Sequence, residues 1–115
     1  MTQIKIFGLK PSLDAHKIAL SGAIHNAVVE ALAYPADKKF HRFIALDEGD
    51  FLYPEGRSRN YTVIEISMFE GRSVATKKQL IKLILKIIER KVEIKRKKVE
   101  IKLFETPKGN GGTGG

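Results

Sequence analysis

The sequence predicts an α/β fold, an α+β two-layer sandwich in which two βαβ repeats form a four-stranded sheet with both helices on one face. Three observations lead there. First, "QIKIFGLKPSLDAHKIALSGAI" lies over "VIEISMFEGRSVATKKQLIKLI" at an offset of about sixty residues, matching Ile4 with Ile64, Ile6 with Ile66, Lys17 with Lys77, Leu20 with Leu80 and Ile24 with Ile84. Second, each copy passes from an alternating strand through a short turn into an amphipathic helix. Third, a further strand can be read after each helix, at Phe40–Leu46 and at Val99–Glu105. A right-handed crossover then makes the two strands of each unit parallel.

The first helix is predicted from Ser12, a good N-cap with Asp14 in the first turn, to about Ala33, where Pro35 stops it. Its apolar stripe is Leu13, Ile18, Leu20, Ala23, Ile24, Ala27, Val28, Ala31 and Leu32. The second starts near Ser73 or Val74 and buries Leu80, Ile81, Ile84, Leu85, Ile87 and Ile88. The other sheet face has no helix to cover it. Ile4 and Ile6, or the opposite parity at Phe7, with Val63, Glu65, Phe43 and Ala45, would leave mixed apolar surface there, for which a closed homo-oligomer is the usual remedy.

At 115 residues the expectation is one domain, residues 1–107, with repeats at about 2–46 and 62–105 and a flexible glycine-rich tail at 108–115. The long connection Asp47–Tyr61 is of the kind that is functional or mobile. The formal charge of +8 is local, most of it in "RKVEIKRKKVEIK" (Arg90–Lys102), where Lys and Glu alternating with Val and Ile suit a solvated strand face. That run lacks the aromatics or recognition helix of a nucleic-acid reader, so nucleic acid is an unfavoured partner. No cysteine is present, and no apolar run has the length to span a bilayer. A soluble, cytoplasmic protein with no membrane partner is the expectation. His16 and His25 are nine residues apart on the first helix, and His41 reads as a sheet-face residue, so no metal is expected. No motif calls for a cofactor.

The second half, "FEGRSVATKKQLIKLI" followed by "FETPKGNGGTGG", resembles oxalocrotonate tautomerase, a single βαβ unit whose strand runs into Glu-Gly-Arg-Ser/Thr and whose end is Lys-Gly and a glycine-rich hairpin. With "YPADKKFHRF" after the first helix, the whole resembles the longer, fused members of the tautomerase superfamily, the branch of malonate semialdehyde decarboxylase above all. The resemblance implies a homotrimer with sheets closed around an axis. It also implies an N-terminal proline amine that moves a proton on a small enol or keto acid, with arginines holding the substrate carboxylate. An α-amine starts near a pKa of about 8 and burial lowers it toward neutrality.

Here position 2 is Thr2, not proline. Methionine removal would leave a primary amine with a less preorganised lone pair, so lost or reduced activity is expected. The resemblance places substrate binding on Arg72 and, around the same mouth, on Arg57, Arg59 and Lys38. The family's water-activating aspartate falls on Lys38, with Asp37 one residue away. After Arg90 the family's glycine- and proline-containing loop is replaced by a near-repeat of Val-Glu-Ile-Lys, written as a strand or hairpin would be if binary pattern were imposed on purpose. Two readings are open. One is an engineered tautomerase-fold scaffold, with segment 90–105 redesigned for a designed partner or a higher-order assembly; the other is an active tautomerase or decarboxylase at subunit interfaces.

Overall fold

In the computed structural model, which describes residues 2–112 and Gly114, β1 (Gln3–Leu9) leads into α1 (Lys10–Leu32) and β2 (His41–Leu46). The second unit is β3 (Thr62–Phe69), α2 (Val74–Lys91) and β4 (Val99–Thr106). The sheet order is β2-β1-β3-β4, with β1/β2 and β3/β4 parallel and β1/β3 antiparallel. The central register pairs Ile4 with Ile66 and Ile6 with Ile64. Those four isoleucines are the repeat equivalents Ile4/Ile64 and Ile6/Ile66, exchanged as a two-fold axis between the units requires.

That register places both helices on one face. Ile4, Ile6, Ile64, Ile66 and Met68 are buried against Leu13, Leu20, Ile24 and Val28 of α1 and Leu80, Ile84 and Ile88 of α2. Full burial of each such side chain contributes about 1.5–3 kcal/mol. At Gly8 the first turn of α1 comes so close that an added Cβ would lie 3.0 Å from Leu13 Cδ2.

Several expectations are corrected. α1 begins at Lys10, not Ser12: Leu9 is the extended N-cap, and Pro11 sits in the first turn where a missing N–H costs nothing. Ser12 is buried and its hydroxyl donates to Asn60 Oδ1 at 2.9 Å, tying the helix start to the loop before β3. Ile18 is 89% exposed, because two residues before Leu20 is about 200° around a helix and so on its far side. On α2, Ile81, Leu85 and Ile87 are only half-buried. Ser73 does cap α2, its Oγ accepting from Thr76 N–H at 3.1 Å.

The open face carries the Phe7 parity, so Ile4 and Ile6 are removed from it. Phe43 pairs with Ile6 and packs on the core, with Lys17 Nζ 5.9 Å from its ring centre. Ala45 pairs with Gly8 in the same parity. The open face instead presents Ile44, Phe7, Val63 and Phe104 beside a row that runs Arg42, Lys5, Glu65, Lys102 across all four strands.

The expected strand or hairpin at 91–105 divides into two unlike structures. The first Val-Glu-Ile-Lys is the exit from α2: Val92 and Glu93 N–H both donate to Ile88 O, and Val92 and Ile94 close the core. Glu93 takes a left-handed φ of 63°, a position for glycine. The Glu89 carboxylate accepts from Arg96 N–H at 3.3 Å and Nε at 3.2 Å, which lowers its pKa and ties the 3-10 turn Arg96–Lys98 to the helix. Only the second Val-Glu-Ile-Lys is a strand. Within the tail, Lys108–Asn110 form a 3-10 turn and Gly111 lies on the Phe69 ring.

Because a β-carbon disfavours the left-handed region by about 1–2 kcal/mol, Glu93→Gly is expected to raise unfolding stability by about 1 kcal/mol in urea titration. A loss of stability would show that the Glu93 side chain contributes more than its backbone costs.

Candidate functional site

The carboxyl ends of β3 and β4 and the amino end of β1 meet at one end of the sheet, and two of the sequence-predicted residues flank this edge on opposite sides. Thr2 is 4% exposed, directly before β1, and its N–H donates to Tyr34 Oη at 3.1 Å. Tyr34 arrives there because α1 stops at Ala33, which takes φ 50° as the C-cap, and the chain turns back over the helix end. Lys38 comes next, in the turn closed by its own N–H to Pro35 O at 3.1 Å. The segment then joins the sheet where Ile4 N–H donates to Phe40 O at 2.9 Å.

On the other side, β3 ends at Phe69, Glu70 N–H donates to Thr106 O at 3.0 Å, and Gly71 at φ 128° turns the chain into α2. Only glycine accepts that φ without strain. Arg72 there lines an open cleft of about 420 Å³ with Phe69, Glu70, Gly71 and Lys108. A second cleft, of about 230 Å³, lies on the Phe69 ring and is walled by Gln3, Ser67, Thr106 and Gly111. Phe69 is thus a partition between the strand start next to Thr2 and the cationic cleft at Arg72.

Arg57 and Arg59 are not brought to this end. Arg59 lies beside Leu9 and Pro11, at the opposite end of β1, which is roughly 23 Å away at 3.3 Å per residue. It is paired with Glu48, and Arg57 sits over the Tyr61 ring at 5.7 Å in a cluster where Phe51 and Tyr61 stack at 5.6 Å. Both arginines have partners within their own loop. Asp37 is exposed in the Lys38 turn.

A family model described as tautomerase enzyme matches residues 38–114. The chain belongs to the tautomerase superfamily. Solved structures agree on the fold. A malonate semialdehyde decarboxylase superposes with a TM-score of 0.87 at 23% identity, covering 98% of this chain and 91% of that one. A fused 4-OT described as an asymmetric trimer gives 0.83 at 19%, with 98% and 93% covered. A member of the cis-3-chloroacrylic acid dehalogenase family gives 0.84 at 19%, with 98% and 80% covered.

In this tautomerase-superfamily chain the segment that carries Tyr34 and Lys38 is fastened to α1 by histidines. His25 Nε2 lies 2.7 Å from Ala36 O; a carbonyl only accepts, so that nitrogen carries the proton. His41 Nδ1 is 2.8 Å from Ser21 Oγ, and the His25 and His41 rings meet edge to face at 6.0 Å. Burial, with smaller contributions from the Lys39 and His25 charges, lowers the His41 pKa from 6.5 to about 4. His41 is therefore neutral at pH 7 and serves as a wedge between α1 and β2. His16 is occupied locally, its Nδ1 donating to Ser12 O at 2.8 Å. Among the described residues no cluster of three or more His, Cys, Asp or Glu could hold a metal, and no helix is long and apolar enough to cross a membrane.

Tyr34 and Lys108 are the residues that sequence reasoning did not select. Each stands just past the end of a regular element, where periodicity carries no information, and the one available signal was position: Tyr34 directly before the helix-stopping Pro35, and Lys108 in the Lys-Gly end.

A group whose folded pKa is depressed keeps the folded state intact above its unfolded pKa and weakens it as pH falls. Stability is therefore expected to decline between pH 6.5 and about 4 as the unfolded chain takes up a proton that folded His41 resists. Thermal unfolding of His41→Gln across that window should show a flatter slope than the parent; parallel slopes would remove His41 from the acid response.

Proposed function

We propose that the chain forms a tautomerase-fold homotrimer in which the ligand-facing end is retained while proton-transfer chemistry at the first strand is absent or slow. The observation that carries this reading is the nitrogen of Thr2. It lies buried at the start of β1, where the resemblance puts the catalytic amine, but it belongs to a threonine and is engaged by Tyr34 Oη. Freed by methionine removal, it would be a primary amine with extra rotational freedom. A secondary, ring-held amine is preorganised for proton transfer, and this one is not.

The trimer is supported by the open sheet face. Ile44, Phe7, Val63 and Phe104 leave apolar area on a face that neither helix covers, and fused 4-OT structures are described as trimers. Closure of three sheets around an axis would cover that face and set the charged row Arg42, Lys5, Glu65, Lys102 against neighbouring copies. The same reading takes 90–105 as a redesigned segment of an assembly component, on the strength of a Val-Glu-Ile-Lys near-repeat that the chain uses once as a helix exit and once as a strand. Placement in the cytoplasm is part of the proposal and fits a chain without cysteine.

A second reading, an active isomerase or decarboxylase on small enol or keto acids, is favoured by the open cleft that Arg72 lines with Lys108.

Ketonisation of phenylenolpyruvate by the parent and by Thr2→Pro, at equal trimer concentration, separates the two. Turnover only in Thr2→Pro, by tenfold or more, is the expected result; a parent equal to Thr2→Pro would establish the active enzyme, and silence from both would mean that the proton-transfer site is dismantled. Light scattering should find a particle three times the 12.9 kDa chain, and a monomer at micromolar concentration would sink the trimer.

A further inference from the structure

We propose that the outer face of α2, with the turn that follows it, is a docking surface for the phosphate backbone of a double-stranded nucleic acid, bound without reading its bases. The surface stands on the side of α2 turned away from the sheet. It therefore shares no residue with the Thr2 and Arg72 end or with the open face assigned to the trimer.

Charge is concentrated there. Residues 77–102 hold eleven Lys/Arg against three Asp/Glu, a net of +8 that equals the formal charge of the whole chain; the other residues balance, ten against ten. Within that stretch Lys78, Lys82, Lys86 and Arg90 recur at every fourth position of α2, and all are exposed. Leu80, Ile84 and Ile88, two residues on from the three lysines, are buried, and two residues are about 200° around a helix. The lysines therefore point away from the core. Successive cations rise about 6 Å along the axis, which makes a ridge about 18 Å long.

Helix stability does not account for this ridge. Like charges four residues apart work against the helix that carries them, and α2 has Lys78 with Lys82, Lys82 with Lys86, and Lys86 with Arg90. Its first turn holds no acid and Lys77 and Lys78 follow directly, the reverse of what the helix dipole favours. On α1, by contrast, Asp14 lies between Lys10 and Lys17 at 3.2 and 3.7 Å. None of Lys78, Lys82, Lys86 and Arg90 has a carboxylate partner among the described residues, whereas Lys77 is held by Glu105 at 2.7 Å.

The ridge continues past the helix. Glu89 accepts from Arg96 N–H and Nε, which draws the turn Arg96–Lys98 against the carboxyl end of α2 and adds the exposed Lys95 and Lys97 there. Taken alone, residues 90–102 lack the aromatics or recognition helix that reading bases requires. Neutralising phosphates requires neither.

Shape selects the partner. No large hydrophobic side chain is exposed from Ala75 to Leu103, so nothing is available to enter acyl chains or to stack on unpaired bases. Each step of four residues also turns the ridge by about 40°, and from Lys78 to Arg90 the cations fan through about 120°. A flat lipid surface meets such a fan along one line, whereas the two phosphate walls of a duplex groove meet it across its width. Duplex DNA presents one charge per about 1.7 Å of its axis, enough for every cation of the ridge to find a phosphate.

The test is fluorescence anisotropy of the full chain with a labelled DNA duplex of about 20 base pairs, between about 50 and 200 mM salt. Binding in the micromolar range at the lowest salt is expected, equal for two duplexes of unrelated sequence. The slope of log K against log salt should fall between about −3.6 and −5.4, four to six phosphates at roughly −0.9 each. Lys82→Gln/Lys86→Gln, two exposed changes, should bring that slope about 1.8 nearer zero and weaken low-salt binding about tenfold. Lys10→Gln/Lys17→Gln, which removes the same charge from α1, should stay within about twofold of the parent. No duplex binding at the lowest salt, a slope that Lys82→Gln/Lys86→Gln leaves unchanged, a sequence preference, or an equal loss from Lys10→Gln/Lys17→Gln would overturn the proposal. So would tighter co-sedimentation with phosphatidylcholine vesicles containing about 30% phosphatidylserine, which would assign the ridge to a lipid surface.

Discussion

Everything in this molecule depends on the antiparallel pairing of β1 with β3. Each βαβ unit alone would have one strand edge and one helix stripe exposed. Joining Ile4 to Ile66 and Ile6 to Ile64 turns two half-layers into one sheet, and the alternation of each strand then aligns so that every isoleucine of the set points at the helices. A slip of either strand by one residue would turn its two isoleucines to the open face, which is why the register is strongly specified. The same pairing makes the two edge strands, β2 and β4, run in opposite directions. The carboxyl ends of β3 and β4 thereby meet the amino end of β1, and Thr2 and Arg72 share one end of the sheet although seventy residues separate them.

The end of the sheet shared by Thr2 and Arg72 is built from residues just beyond the regular elements. Tyr34 comes from the exit of α1, Arg72 from the link between β3 and α2, and Lys108 from the turn after β4. Each is steered by one backbone device: the left-handed Ala33, the glycine at φ 128°, and Gly111 against Phe69. The scaffold is rigid where the core is dense, and the polar groups that could meet a ligand hang from its ends. Thr2 itself stands outside the apolar cluster that joins the two layers.

The histidines show the same economy on the β2 side of β1. His25 and His41 could be read as a catalytic or metal-binding pair, but one is committed to a backbone carbonyl and the other to Ser21, with burial keeping it neutral. Their work is to keep the segment from Tyr34 to Phe40 folded over α1, so that the tyrosine reaches the nitrogen of Thr2.

By itself the sequence determined the two repeats, the βαβ order within each, the parallel pairing inside each unit, the start of α2 near Ser73 and the family, because periodicity and internal homology are local properties that survive without a partner. The burial of Ile18, the start of α1 and the fate of the first Val-Glu-Ile-Lys were misread for a common reason. Apolar composition says that a residue can be buried, and only neighbours decide whether it is: Pro11 and Leu9 set the helix start, helical rotation turned Ile18 outward, and Val92 and Ile94 were drawn into the core instead of into a strand. Tertiary structure alone also separated Arg57 and Arg59 from Arg72 and brought Lys108 beside it. Those placements depend on which strand ends are neighbours, a through-space relation that spacing along the chain does not encode.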